Sequence, residues 1–145
     1  MDQYDLHAIL GFGSFSVVKA ATDRSTDAPV ALKMVRFRKE SERAALLAEG
    51  QLWAQLHHPN ICPLLNLFTL DAENNEPGGT VVFVMPWAKD GDLLTALSSK
   101  KAVSPITVLR ALCAALSYLH TAKGMIHGDV KLENILLSEN GTILL

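Results

Sequence analysis

Between Met125 and Leu137 the chain reads MIHGDVKLENILL, and this stretch sets what the rest of the sequence has to be built around. Two short apolar runs, Met125-Ile126 and Ile135-Leu136-Leu137, bracket a polar segment holding His127, Asp129, Lys131, Glu133 and Asn134. Apolar runs of this kind read as short strands or buried anchors, so the segment between them is a loop fixed at both ends. A loop carried on a rigid scaffold is a usual place for binding and catalysis. Asp129, Lys131 and Asn134 supply a base, a cation and a metal-capable amide within six residues. A polar surface turn between two strands is the plainer reading of the same residues. The rest of the chain decides between them.

Composition narrows the field. A chain of 145 residues that is 49% hydrophobic has room for a real core in a single domain. With 19% charged residues and a net charge of −2, it offers no electrostatic case for nucleic acid or an anionic membrane as partner. Cys62 and Cys113 lack metal-ligand spacing and are expected to be reduced core residues of a cytosolic protein. The N-terminal MDQYDLHAIL has neither the basic start nor the apolar run of a signal peptide. No apolar segment approaches the roughly eighteen residues of a membrane span. The expectation is an intracellular, soluble, cytoplasmic protein.

Taken in order, residues 4–10 and 16–22 read as strands of a hairpin with GFGSF at its tip. Gly11 and Gly13 would let the backbone come close to phosphates with N–H groups free to bond them, although an ordinary hairpin turn also uses glycine. Residues 30–35 are a third strand, in which Lys33 interrupts an apolar run; a solvent face would also explain it. From Glu40 to His58 the pattern is helical, with Ala45, Glu49, Leu52 and Leu56 on one stripe. A carboxylate in that stripe needs a partner, for which Lys33 is the candidate, or else lies at the edge and reaches water. Gly50 within the helix has no explanation in the sequence. Residues 64–70 and 80–85 read as strands joined by a turn-rich DAENNEPGG, followed by Met85-Pro-Trp-Ala88. Asp90-Gly-Asp92 opens a helix, and Ser104-Pro105 opens another whose apolar face is Val108, Leu109, Leu112, Leu116 and Leu119, stopped by Gly124.

The spacing H-x-D-x-K-x-x-N from His127 to Asn134 resembles the catalytic loop of eukaryotic-type protein kinases. Four further stretches support that resemblance in the right order. Leu10 to Ala20 resembles the kinase glycine-rich loop, with Ser16 in place of its third glycine. Val30-Ala-Leu-Lys33 resembles the strand carrying the phosphate-binding lysine. Glu49 stands, counted back from His58-Pro-Asn-Ile61, where that lysine's acidic partner is placed. Met85 to Ala88 resembles the hinge. The resemblance covers nearly all of residues 4–145, and Lys131 marks the serine/threonine type.

The family implies an α+β, protein-kinase-like fold: a five-stranded antiparallel small lobe with one main helix, then the start of a mostly helical large lobe. Residues 4–85 would be the small lobe, 86–91 the hinge and 92–145 a truncated large lobe. It further implies ATP-dependent phosphorylation of protein serine and threonine hydroxyls with Mg²⁺, the oligomeric state staying open. By resemblance, Lys33 oriented by Glu49 holds the α- and β-phosphates, and Gly11, Phe12, Gly13, Ser14 and Phe15 cover them. Leu10, Val18, Ala31 and Leu136 sandwich the adenine. Pro86 supplies a carbonyl and Ala88 an N–H to it, Met85 guards the pocket behind, and Asp92 meets the ribose. More ordinary roles for Met85 and Asp92 are core methionine and helix cap. Asp129 accepts the substrate hydroxyl's proton, Lys131 balances charge on the γ-phosphate and Asn134 binds one Mg²⁺.

Two departures stand out. No Asp-Phe-Gly triplet follows Asn140–Leu145, and no A-P-E motif occurs; Gly128 stands where many kinases have arginine. The expectation is a fragment or incomplete gene model of an active kinase, the alternative a nucleotide- or partner-binding pseudokinase. Intact Lys33, Glu49, Asp129 and Asn134 favour the first.

Overall fold

A computed structural model describes residues 1–13, 15–72, 77–138 and 140–145. They form two compact units, Met1–Leu56 with Pro63–Trp87 and His57–Cys62 with Ala88–Leu145. In the first, strands β1 (Tyr4–Phe12), β2 (Ser16–Asp23), β3 (Ala28–Phe37), β4 (Asn66–Asp71) and β5 (Gly79–Pro86) make one antiparallel sheet, ordered β1-β2-β3-β5-β4. This is the five-stranded sheet the sequence implies, with strand ends shifted by a residue or two and β3 longer at both ends. Of the DAENNEPGG connection, residues 73–76 lie outside the described residues.

Period-two alternation gives the sheet two different faces. One carries Ala21, Val30, Leu32, Val82 and Val84, all nearly or fully buried, with Met34, Phe68 and Leu70 packed against them. Among the described residues no helix contributes to this cluster. Instead the sheet curls until its outer strands meet: Tyr4 of β1 stacks on Phe68 of β4 with ring centres 5.8 Å apart and planes 3° from parallel. The Asn66 amide donates to the Tyr4 hydroxyl at 2.9 Å, so the buried rim is satisfied as well as closed.

The other face follows the register Gly11–Val18–Lys33–Phe83–Leu67 across all five strands. Helix α1 (Glu40–Trp53) lies on it. Glu42 starts that helix, its carboxylate accepting from the Arg38 and Lys39 N–H groups at 2.8 and 3.3 Å. These bonds hold its carboxyl below the usual range.

Two expectations about α1 need correction. It stops at Trp53 rather than His58. Its exit winds tighter, with Gln55 N–H bonded to Leu52 O and Leu56 N–H to Trp53 O, three residues back, and Pro59 disfavours helix at His58. The expected stripe is also not the buried one: Ala45, Glu49 and Leu52 are exposed and Leu56 half-buried. The packed face is Leu46, Gly50 and Trp53, one position round the helix. Gly50 is buried because Leu67 sits over it; a Cβ there would come within 2.5 Å of a Leu67 methyl. Trp53 stacks on Phe83 at 5.8 Å. A glycine adds nothing to an apolar pattern, so the true face was invisible in it.

In the second unit, α2 (Leu93–Ser98) and α3 (Pro105–Ser117) pack with β6 (Leu136–Leu137) and β7 (Ile143–Leu144). Asp92 caps α2, accepting from the Thr95 N–H at 2.7 Å. Ser104 caps α3 ahead of Pro105, as expected. On α3 the innermost residues are Ala111 and Ala115, while Leu109, expected inside, is 56% exposed. Small side chains let the helix approach its neighbours closely, and the large-residue pattern missed them. After a π turn over Tyr118–Ala122, Gly124 at φ +63° reverses the chain, and Met125 N–H bonds Leu119 O at 2.9 Å. Segment 57–62 joins this unit through Leu145 N–H to Asn60 O and Cys62 N–H to Leu145 O, both 2.9 Å. Cys62 is buried, which pushes its thiol up to about 12; Cys113, expected in the core, is exposed. No described helix is long and apolar enough to cross a membrane.

Candidate functional site

The first unit offers a cavity of about 240 Å³ on the α1 face of the sheet, lined by Phe15, Ser16, Lys33, Val35, Leu46, Glu49 and Phe83. The register explains the set. Lys33 stands between Val18 and Phe83 on neighbouring strands, and Ser16 stands opposite Val35. The Lys33 ammonium lies 6.0 Å from the Phe83 ring centre, an attractive distance for a cation over an aromatic face. Glu49 shares the cavity with Lys33, yet among the described residues no ion pair joins them. The carboxylate reaches water instead, one of the two placements open at the start.

At the hairpin tip, Gly13 and Ser16 exchange backbone bonds, Gly13 N–H to Ser16 O at 2.8 Å and the reverse at 3.4 Å. The Gly13 N–H is therefore engaged in the turn, not free as expected. Gly11 differs: a Cβ there would meet nothing within 4 Å among the described residues, so none of them demands a glycine. Phe12 and Phe15 are each 80% exposed. Ser14 lies outside the described residues.

Leu10 is the extra residue of a β-bulge between Ile9 and Gly11. Val18 is half-buried, Ala31 and Met85 are buried opposite one another in the β3–β5 register, and Pro86 pairs with Val30 at the end of β5. In the second unit, no hydrogen bond from the Ala88 N–H is found among the described residues. Leu136 is half-buried and bridges Asp92. Thr95 occupies both Asp92 carboxylate oxygens, from its N–H at 2.7 Å and its hydroxyl at 3.1 Å. Asp92 is thus a working helix cap whatever else it meets.

The Met125–Leu137 loop brings its polar residues together. Ile135 and Leu137 are buried anchors, while Ile126 is 85% exposed and anchors nothing. Between them, Asp129 Oδ2 accepts from Lys131 Nζ and from Asn134 Nδ2, each at 2.9 Å. Asn134 Nδ2 also donates to the Asp129 carbonyl at 2.8 Å. A 3₁₀ turn over Leu132–Asn134, closed by Asn134 N–H to Lys131 O at 3.0 Å, sets these distances. His127 contributes too: its Nδ1 accepts from the Asp129 N–H at 3.3 Å. The bonds from Lys131, then Asn134, hold the Asp129 carboxyl below the ordinary range, and Asp129 in turn holds Lys131 above its own. Gly128 adopts φ +77°, a conformation an arginine would enter only with strain.

The donor set fits Mg²⁺ in part. Asn134 spends its amide nitrogen on Asp129, which leaves Asn134 Oδ1 as a hard oxygen ligand. One protein oxygen is compatible with an ion that usually keeps waters and phosphate oxygens around one or two side chains. Among the described residues no group of three or more His, Cys, Asp or Glu could hold a metal unaided.

Sequence reading missed Phe83 and Ser16 as lining of the Lys33 cavity, and His127 as a support of Asp129. The strand register, extended from Lys33, would have found Phe83.

Comparison with known proteins gives one answer throughout. The protein kinase domain family model matches residues 4–145. The chain is 31% identical over 147 residues to human NUAK family SNF1-like kinase 1, covering 97% of this chain and 21% of that one. It is 33% identical over 138 residues to the serine/threonine-protein kinase pak-2 of Caenorhabditis elegans, covering 94% and 25% respectively. Identity is the same, over 138 residues, to the serine/threonine-protein kinase PAK mbt of Drosophila melanogaster, 94% of this chain and 20% of that one. The chain thus spans about a quarter or less of the length of these relatives.

Proposed function

Because the chain belongs to the protein kinase domain family, we propose that it supplies the phosphate-binding and catalytic-loop portion of an ATP-dependent protein serine/threonine kinase. The observation that carries the reading is the Asp129 carboxylate, exposed, ionised and aimed by Lys131 and Asn134. In the reaction, a serine or threonine oxygen attacks the γ-phosphorus, the bond to the β–γ bridging oxygen breaks and ADP leaves. Asp129 orients the attacking hydroxyl and takes its proton. Lys131, already beside that carboxylate, balances charge on the transferred group. Lys33 neutralises the α- and β-phosphates, and Gly11 gives them open backbone to approach. By family resemblance Ala88 would offer its N–H to the adenine, Pro86 a carbonyl, and Leu10, Val18, Ala31, Met85 and Leu136 apolar surface. Asn134 Oδ1 would hold Mg²⁺, which when bound would supply charge neutralisation at the phosphates. With so little covalent chemistry for the protein to do, positioning and charge carry the rate. Cytoplasmic residence fits two cysteines that form no disulfide.

A second reading, nucleotide or partner binding without phosphoryl transfer, is favoured by Lys33 and Glu49, between which no ion pair is found among the described residues. One experiment separates them. In the full-length natural chain, transfer of labelled γ-phosphate to serine and threonine peptides is measured beside nucleotide binding, for wild type and Asp129→Asn. Transfer lost in the variant with nucleotide binding retained supports the kinase. Binding without transfer in the wild type establishes the second reading.

A further inference from the structure

Ser16 is where the hairpin tip departs from the glycine-rich pattern it resembles, which has a third glycine at that position. The fold gives the departure a setting. Ser16 begins β2 opposite Val35, and period-two alternation puts it on the face that carries Val18, Lys33 and Phe83. It is half-buried there and lines the same cavity of about 240 Å³ as Lys33 and Glu49.

Two donors at the tip are in opposite states. The Gly13 N–H is spent on the Ser16 carbonyl at 2.8 Å. The Ser16 hydroxyl makes no hydrogen bond among the described residues. It lies against Gly13, close enough that a Cβ at 13 would come within 2.5 Å of its Oγ. With no bond to hold it, the hydroxyl turns about a single Cα–Cβ bond. Lys33 is uncommitted in the same sense: among the described residues it has no ion pair, and the Phe83 ring 6.0 Å away is no hydrogen-bond acceptor of the ordinary kind. The rest of the lining is Glu49 and the apolar Phe15, Val35, Leu46 and Phe83. Lys33 and Glu49 carry opposite charges, so the cavity has little net pull on an anion. A neutral donor facing the same space then weighs more.

We propose that the Ser16 hydroxyl donates a hydrogen bond to a phosphate oxygen of the nucleotide, together with Lys33, and so replaces the Gly13 N–H that the turn consumes. The inference rests on the reading of Lys33 as the phosphate-binding lysine. A hydroxyl donating to an ionised oxygen makes a charge-assisted bond, stronger than a neutral one. Alanine at 16 keeps the hairpin backbone and removes that donor. Since no described residue bonds the hydroxyl, its loss bears on the ligand and not on folding.

The test measures the affinities of MgATP and of adenosine by titration calorimetry on the full-length natural chain, for wild type, Ser16→Ala, Ser16→Thr and Lys33→Met. Ser16→Ala is expected to weaken MgATP about tenfold, with adenosine affinity and the melting temperature of the nucleotide-free protein unchanged. Ser16→Thr keeps the hydroxyl and should bind MgATP as the wild type does. Unchanged MgATP affinity in Ser16→Ala overturns the proposal. So does an equal weakening of adenosine, which would mean a distorted hairpin, or a Ser16→Thr variant as weak as Ser16→Ala. Lys33→Met tests the underlying reading and should also weaken MgATP while sparing adenosine. If it does so and Ser16→Ala does not, the role of Ser16 falls and that of Lys33 stands. If Lys33→Met leaves MgATP affinity unchanged, the phosphate-binding reading itself fails, and the role of Ser16 with it.

Discussion

Among the described residues Asp129 carries two donors on one carboxylate oxygen and none on the other, an asymmetry that suits the base role proposed for it. The free oxygen can meet a hydroxyl while Lys131 and Asn134 keep the group ionised and aimed. Its carboxyl lies below the ordinary value, so it stays charged to lower pH, and the acid limb of kcat/KM should lie below that of an unassisted aspartate. Lys131→Met removes the largest cause of that depression and should move the limb to higher pH. Stability follows the same sign: the contribution is present above the unfolded value and lost as pH falls through the folded one. A pH–rate profile of the full-length natural chain checks this, and an unmoved limb in Lys131→Met would separate Lys131 from the tuning of Asp129. At Gly128, the φ of +77° makes arginine costly, so Gly128→Arg should lose about 1–3 kcal/mol in a denaturant melt.

Among the elements, α1 shows how one residue fixes the seating of a helix. Gly50→Ala improves helix propensity by about 1 kcal/mol, but its new Cβ would fall 2.5 Å from a Leu67 methyl. Overpacking of that kind costs about 1–3 kcal/mol, so the net effect should be destabilising. Leu67→Ala removes the obstacle. In a double-mutant cycle, Gly50→Ala should therefore turn favourable in the Leu67→Ala background, and simple additivity would mean that the contact does not seat the helix. At the end of α2 the logic reverses. Lys100→Gly should raise stability by up to about 1 kcal/mol, because glycine occupies the left-handed position without strain.

Across the whole molecule, the two units close their cores differently. The first is sealed by its own edges, through the Tyr4–Phe68 stack and the Asn66 bond. Tyr4 is 6% exposed, and Tyr4→Ala should cost about 3 kcal/mol while speeding hydrogen exchange in both β1 and β4. Faster exchange in β1 alone would show that the edges are not coupled. The second unit leaves Leu97, Ile106 and Leu109 about half in water. Each such side chain forgoes part of the ~1.5–3 kcal/mol that full burial is worth. The 145-residue chain should accordingly melt in more than one step, with dye-binding apolar surface appearing before the β-sheet is lost.

What the sequence determined by itself was local. The strand runs at residues 16–22 and 30–35, caps at Asp92 and Ser104, a stop at Gly124 and the spacing from His127 to Asn134 depend on neighbours a few residues away. All of them survive in the fold. The geometry that ties Asp129 to Lys131 and Asn134 is of the same kind, because one short turn sets it. Tertiary structure alone decided which face of α1 is buried, since Gly50 is defined by Leu67, seventeen positions on. It likewise decided that Leu109 faces water while Ala111 and Ala115 pack inside, that Glu49 shares a cavity with Lys33 without pairing, and that Tyr4 closes on Phe68. Each of those depends on how far apart two packed elements settle, and side-chain volume and register across the fold set that distance, not the periodicity of any one segment.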